Sequence, residues 1–143
     1  MTAIPGTPIP TGQRLFELLP YYSWIVDRFH LSTMAYQQER TGRRPDFRWL
    51  EERLAAVGFR LVFCRRSPES FAAAREDRLR VSGKPSQYDD LTLFVREQEL
   101  MERLVAASVL PSCTIDVSGD DVASAADAIA DWMEATGALW CPQ

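Results

Sequence analysis

The chain reads as an α/β protein: a parallel sheet of three strands with helices on both faces. Three short apolar runs, Tyr22–Val26, Arg60–Cys64 and Cys113–Val117, have the length and composition of buried strands. Longer stretches with helical apolar spacing separate them. Strands that alternate with helices in this way imply parallel pairing through right-handed crossovers.

The elements follow in order. Residues 1–12 hold Pro5, Pro8, Pro10, Gly6 and Gly12 and are expected to be a poorly ordered arm. A short helix over 14–20 stops at Pro20, so residues 1–20 form an arm and short helix ahead of one α/β domain over 21–143. After the strand at 22–26, a helix is expected through Leu31–Glu39. Gly42 to Pro45 is a turn. Asp46 is the expected N-cap of a helix with Phe47, Leu50, Leu54 and Val57 on one face, ended by Gly58.

The second strand, Arg60–Cys64, leads to Ser67-Pro68-Glu69, a helix start with serine as N-cap and proline at the first helical position. That helix runs to about Arg80 and breaks at Ser82–Ser86. A long amphipathic helix covers Leu91–Ser108 and turns Phe94, Leu100, Met101, Leu104 and Val105 inward. The third strand, Cys113–Val117, is followed by a helix capped within Ser118–Asp121, with Val122, Ala126, Ile129 and Met133 at helical spacing until Gly137.

At 143 residues the chain is about one domain, and 46% apolar residues suffice for a core. A net charge of −4 argues against a nucleic-acid partner or an acidic membrane surface. No apolar run approaches the ~20 residues of a membrane span, and the proline-rich start lacks the apolar region of a signal peptide. Cys64, Cys113 and Cys141 are odd in number and widely spaced, which favours reduced thiols and a cytoplasmic location. Cys64 and Cys113 are expected as small core residues of strands.

The most informative segment is Asp27-Arg28-Phe29-His30-Leu31-Ser32-Thr33-Met34-Ala35-Tyr36-Gln37. An acid and an arginine at the end of a buried strand stand where open α/β sheets bind ligands. The segment resembles the Asp-Arg-x-x-x-Ser-x-x-Ala-Tyr-Gln run by which bacterial thymidylate kinases hold the acceptor nucleotide. The resemblance extends, more weakly, from Trp24 to Met133 through the strand order, the arginine-rich stretch Ala73–Arg80 and the closing Thr114-Ile115-Asp116-Val117-Ser118.

The resemblance implies a partial P-loop nucleotide-kinase fold and transfer of the ATP γ-phosphate to dTMP with Mg²⁺. It implies Asp27 and Arg28 as catalytic, with Arg28 also on the acceptor phosphate. Ser32, Thr33, Tyr36 and Gln37 would contact the acceptor, and Arg75, Arg78, Arg80 and Lys84 would form a lid over the ATP phosphates. Arginine offers a planar fork suited to a phosphate monoester.

The chain departs from that family in one decisive respect. No Gly-x-x-x-x-Gly-Lys-Ser/Thr occurs in it, and its single lysine is Lys84 against fifteen arginines. Gly6–Gly12 is followed by Gln13-Arg14 instead, and no strand precedes it. Without that loop nothing holds the β and γ phosphates, so the chain alone is expected to be inactive. An upstream segment or a mis-assigned start could supply the loop. The missing central strand would expose strand edges and recruit a second copy.

The alternative from a different class is a non-catalytic nucleotide-binding or interaction module. Each group also has a plainer reading. Asp27 and Arg28 could form a local ion pair, Ser32, Thr33 and Gln37 could be exposed helix polarity, and the lid arginines a solvated face. Arg40, Arg43, Arg44 and Arg48 read as solvated charges, and His30, the one histidine, as a surface residue without a metal role.

Overall fold

The computed structural model describes residues 11–19 and 23–137, with the side chains of 11–14 excepted. Residues 1–10 of the arm expected over 1–12, Pro20 to Tyr22 and Cys141 lie outside them, whereas Thr11 and Gly12 open the first helix, which starts ahead of the expected 14–20. The described elements are α1 (Thr11–Leu18), α2 (His30–Thr41), α3 (Arg48–Ala56), β1 (Leu61–Arg65), α4 (Ser70–Val81), a 3₁₀ turn (Pro85–Tyr88), α5 (Leu91–Ala107), β2 (Ser112–Asp116) and α6 (Val122–Ala135).

The mixed α/β class holds, with two parallel strands in one sheet among the described residues. β1 and β2 pair from Leu61↔Ser112 to Arg65↔Asp116. α5 packs on β1 and α6 on β2, and α2 packs against α5.

The expected strand at 22–26 is not formed in its described part. Residues 23–26 carry no regular structure, and Ile25 is 99% exposed. A strand needs a partner ladder and a face to bury. Here the segment instead directs Trp24 into the core and leaves Ile25 in solvent. Nor is β1 covered on both faces. Leu61 and Phe63 are half-buried, whereas Val62 and Cys64 on the opposite face are exposed, so the core position expected for Cys64 is corrected.

Local chemistry accounts for three helix ends, the starts of α5 and α6 and the close of α2. Asp46, the expected N-cap of α3, lies one residue short of it. Phe47 is the N-cap, and the Asp46 carboxylate accepts the Arg48 N–H at 2.9 Å in a turn leading into the helix. Asp90 and Asp121 are the N-caps of α5 and α6. As caps, they accept the N–H groups of Thr92 and Ser124, each at 3.0 Å. Gly42 closes α2 at φ 67°, where L-residues are strained, and its N–H donates to the Gln38 carbonyl.

Ser67 does not cap α4 as expected. Its N–H donates to Ser118 Oγ at 2.7 Å and its carbonyl accepts from Ser70, so the helix begins at Ser70. A tie between the two post-strand loops has claimed the serine.

The core centres on Leu50 and Leu54 of α3, Phe16 of α1 and Leu110, surrounded by Trp24, Phe29, Phe47, Trp49, Phe59 and Leu61. Phe16 meets Phe59, Trp24 and Phe29 at ring separations of 4.8, 5.3 and 6.2 Å. Arg53 grips Glu17 through two hydrogen bonds of 2.8 and 3.0 Å, so α1 is docked on α3. α6 contributes no fully buried residue. Ile129 and Met133 are half-buried, but Val122 and Ala126 of the expected inward stripe are exposed.

His30, expected at the surface, is 4% exposed. Its Nε2 lies 2.7 Å from Glu51 Oε1. Glu51 also accepts from Ser108 Oγ at 2.8 Å and from the Val109 N–H at 3.0 Å. A buried carboxylate with three polar partners is compensated for lost hydration, which makes Glu51 tolerable in the interior; His30 Nδ1 is buried with no partner among the described residues.

Candidate functional site

α2 and α5 enclose a recess of about 400 Å³ lined by Arg28, Ser32, Thr33, Tyr36, Glu39, Arg40, Leu93 and Glu97, with Ala35 at its back. That volume falls in the ~300–1,000 Å³ range of small-ligand sites. Helical spacing builds one wall: Ser32, Tyr36 and Arg40 succeed one another every four residues along α2. Leu93 and Glu97, also four apart, build the α5 wall. Arg28 stands just before α2 at φ 57°. A non-glycine residue in this region costs about 1–2 kcal/mol, a kind of strain that clusters at functional positions.

Four charged side chains line the recess. Arg96 of α5 donates to Glu39 of α2 at 3.1 Å, a tie across the helix pair. The Arg40 guanidinium lies 5.2 Å from the centre of the Tyr36 ring. Arg28 and Glu97 have neither ion pair nor hydrogen bond among the described residues, and Asp27 does not pair with Arg28.

The first turn of α2 is anchored from behind. His30 is held by Glu51 and sits edge-on to Phe29 and Phe47, with ring separations of 5.7 and 6.2 Å. That turn carries no acidic residue and no side-chain cap, so its positive end is not neutralised locally. Ser32 and Thr33 are thereby presented from a rigid mount.

The other expected site residues are not brought here. Asp27 is exposed and does not line the recess. Gln37 lies off the lining, its carbonyl accepting from Thr41 Oγ1 at 2.8 Å. None of Arg75, Arg78, Arg80 and Lys84 lines it either. Arg75 is half-buried with its Nε unpaired among the described residues, and Arg80 pairs with Asp77 at 3.6 Å.

The residues around Asp27 do not fit the Mg²⁺ that the resemblance implies. Among the described residues no three His, Cys, Asp or Glu side chains converge as a metal cradle.

The Asp27-Arg28 segment is also not at the carboxyl edge of the sheet. Its flanking residues Trp24 and Phe29 pack against the same buried cluster as Phe59 and Leu61, a cluster that includes Leu110, and these last three lead into the strands rather than out of them. The carboxyl edge itself is closed by internal bonds. Gln98 accepts the Arg66 N–H and donates to the Arg66 carbonyl, both at 2.8 Å, and Arg66 pairs with Asp120. Asp116 accepts the Ser118 N–H at 2.8 Å, and hydrogen bonds from Ser118 hold its carboxyl below the ordinary carboxylate range. Donors that an incoming phosphate would need are occupied there.

Leu93, Glu97 and Glu39 are lining residues that motif reading did not reach, and Arg40 was read there only as solvated charge. The four-residue spacing of Leu93 and Glu97 was visible in the sequence, but the pairing of α5 with α2 was not. On the other flank of the same helix pair, Met34, Gln38, Arg44, Leu100, Arg103 and Leu104 line a second recess of about 410 Å³. Among the described residues no helix is long and apolar enough to cross a membrane. The chain matches no family model, no curated protein and no solved structure.

Proposed function

We propose that the α2–α5 recess binds a nucleoside monophosphate, and that the chain is the acceptor-side module of a thymidylate-kinase-like protein. One observation carries this reading. Arg28, Ser32, Thr33 and Tyr36, singled out by the Asp-Arg-to-Gln run, line one recess in which the Arg28 guanidinium has no partner among the described residues. The phosphate would sit on Arg28 beside the uncapped first turn of α2, where charge-assisted contacts and the helix N-terminus both favour an anion. The Ser32 and Thr33 hydroxyls would add hydrogen bonds, and the ring would lie along Tyr36 and Leu93.

The reaction implied by the resemblance is ATP + dTMP → ADP + dTDP. In-line positioning of the phosphates is worth about 7–11 kcal/mol of barrier, and in these 143 residues no glycine-rich loop supplies it. The proposal for this chain is therefore nucleotide binding, with phosphoryl transfer dependent on donor-site groups it does not carry. ATP is a partner only if those groups are supplied.

Calorimetric titration with dTMP and with thymidine tests the reading. Binding of dTMP, absent for thymidine and weakened about 10- to 150-fold by Arg28→Ala, is the expected result. No heat with dTMP at millimolar concentration would remove the site.

A reading as an interaction module is favoured by a separate observation. Among the described residues β1 and β2 pair only with each other, so each keeps an outer edge. Such edges recruit partners, here a second copy of the chain. Concentration-dependent dimerisation in sedimentation experiments tests it, and a monomer at 100-fold dilution steps throughout would remove it.

A further inference from the structure

The recess of about 410 Å³ on the other flank of the α2–α5 pair shares no residue with the one described above. Helical spacing sets two of its walls. Met34 and Gln38 stand one turn apart on α2, and Leu100, Arg103 and Leu104 share a face of α5. The third wall comes from the turn after α2, where Gly42 ends the helix at φ 67° and Arg44, two residues on, joins the lining. Leu100 is buried and Met34 and Leu104 are half-buried, so the floor is apolar.

Its polar lining is Gln38, Arg44 and Arg103, with no acidic side chain. None of these three side chains forms a hydrogen bond or ion pair among the described residues. Two acids on the same helices are engaged elsewhere: Glu39 holds Arg96 at 3.1 Å, and Glu102 holds Arg65 at 3.3 Å. An apolar floor therefore lies beneath two guanidinium groups and an amide whose donors are unused.

We propose that this recess binds a small amphipathic anion: an oxyanion head, carboxylate or phosphate ester, on an aliphatic body. The body lies on Met34, Leu100 and Leu104, where removing apolar surface from water favours binding. The head lies between Arg44 and Arg103, whose planar forks fit either oxyanion, with the Gln38 amide as a further donor. Both arginines are exposed, so their charges add modestly to affinity and chiefly fix which end of the ligand faces out. A bare anion lacks the burial, and an uncharged chain lacks the head contacts.

Titrations of the full chain followed by amide NMR shifts test the site, with octanoate, octyl phosphate, octan-1-ol and inorganic phosphate as probes. Octanoate, octyl phosphate or both should bind saturably at millimolar concentration and move the amides of Met34, Gln38, Arg44 and Arg103. The double variant Arg44→Gln, Arg103→Gln should weaken that binding about 3- to 20-fold while unfolding at an unchanged temperature, since both side chains are exposed. Octanol and inorganic phosphate should bind more weakly than the better anion by at least about threefold. Arg28→Ala should leave the two anions bound while abolishing dTMP binding, so the failure of either recess is read separately.

No saturable binding of either octyl anion overturns the proposal. So does binding that is unchanged in the double variant, that octanol or inorganic phosphate matches, or that Arg28→Ala removes.

Discussion

His30 and Glu51 meet at 2.7 Å in the interior, 21 residues apart in sequence, with side chains only 3% and 8% exposed. Glu51 joins the start of α2 to α3 and to the loop entering β2, because it also takes Ser108 Oγ and the Val109 N–H. Its removal strands three donors at once.

Glu51→Ala should therefore destabilise the chain by about 3–5 kcal/mol, because several buried polar groups lose their partner together at about 1–3 kcal/mol each. Urea unfolding at neutral pH measures it. A loss below about 1 kcal/mol would mean that Glu51 is hydrated or differently paired. Because the network mounts the first turn of α2, ligand affinity at Arg28 should fall with it.

Leu54→Ala should cost about 2–5 kcal/mol, since Leu54 is 1% exposed at the centre of the cluster with Phe16, Leu50 and Leu110. Ile25→Ser should change stability by no more than about 0.5 kcal/mol, because Ile25 is 99% exposed. A cost for Ile25→Ser comparable with Leu54→Ala would show that residues 23–26 do form a buried strand.

Arg28→Gly separates strain from binding. Glycine accepts φ 57° freely, so relief of about 1–2 kcal/mol is set against a chain-entropy cost of about 0.5–1 kcal/mol. Thermal stability should stay level or rise slightly while nucleoside monophosphate binding is lost. A variant that is destabilised and still binds would reverse the roles assigned to this residue.

Acid should weaken the fold in part through Asp90, Asp116 and Asp121. Hydrogen bonds from Thr92 lower Asp90, those from Ser118 lower Asp116, and those from Ser124 lower Asp121. A depressed folded-state value means that these groups stabilise the fold above the ordinary carboxylate value of about 3.9, and that the contribution drains away as pH falls below it. Denaturation midpoints should hold from pH 7 to 5 and drop towards pH 3. Asp121→Ala should flatten that drop, because its acid-labile contribution is already gone.

The sequence by itself determined the elements whose causes are local. Asp90 and Asp121 cap their helices wherever the rest of the chain lies, and Gly42 ends α2 because its own φ demands glycine. The apolar stripes of α3 and α5 likewise put Leu50, Leu54, Leu100 and Val105 inside. The Asp-Arg-to-Gln run also put Ser32 and Tyr36 one turn apart on α2, a consequence of helical spacing, whereas Arg28 precedes the helix and reaches the recess from a left-handed backbone position.

Only the tertiary structure decided what depends on partners far along the chain. An apolar run such as 23–26 becomes a strand only if another strand and a covering face are supplied, and here Trp24 finds the aromatic cluster instead. His30 is interior because Glu51 waits there, and Glu51 is tolerable because Ser108 and Val109, 57 and 58 residues further on, bring the remaining donors. Glu97 enters the recess for the same reason. No local property of α5 says that it will lie against α2; that follows from which faces remain to be buried once the other helices and the two strands have packed.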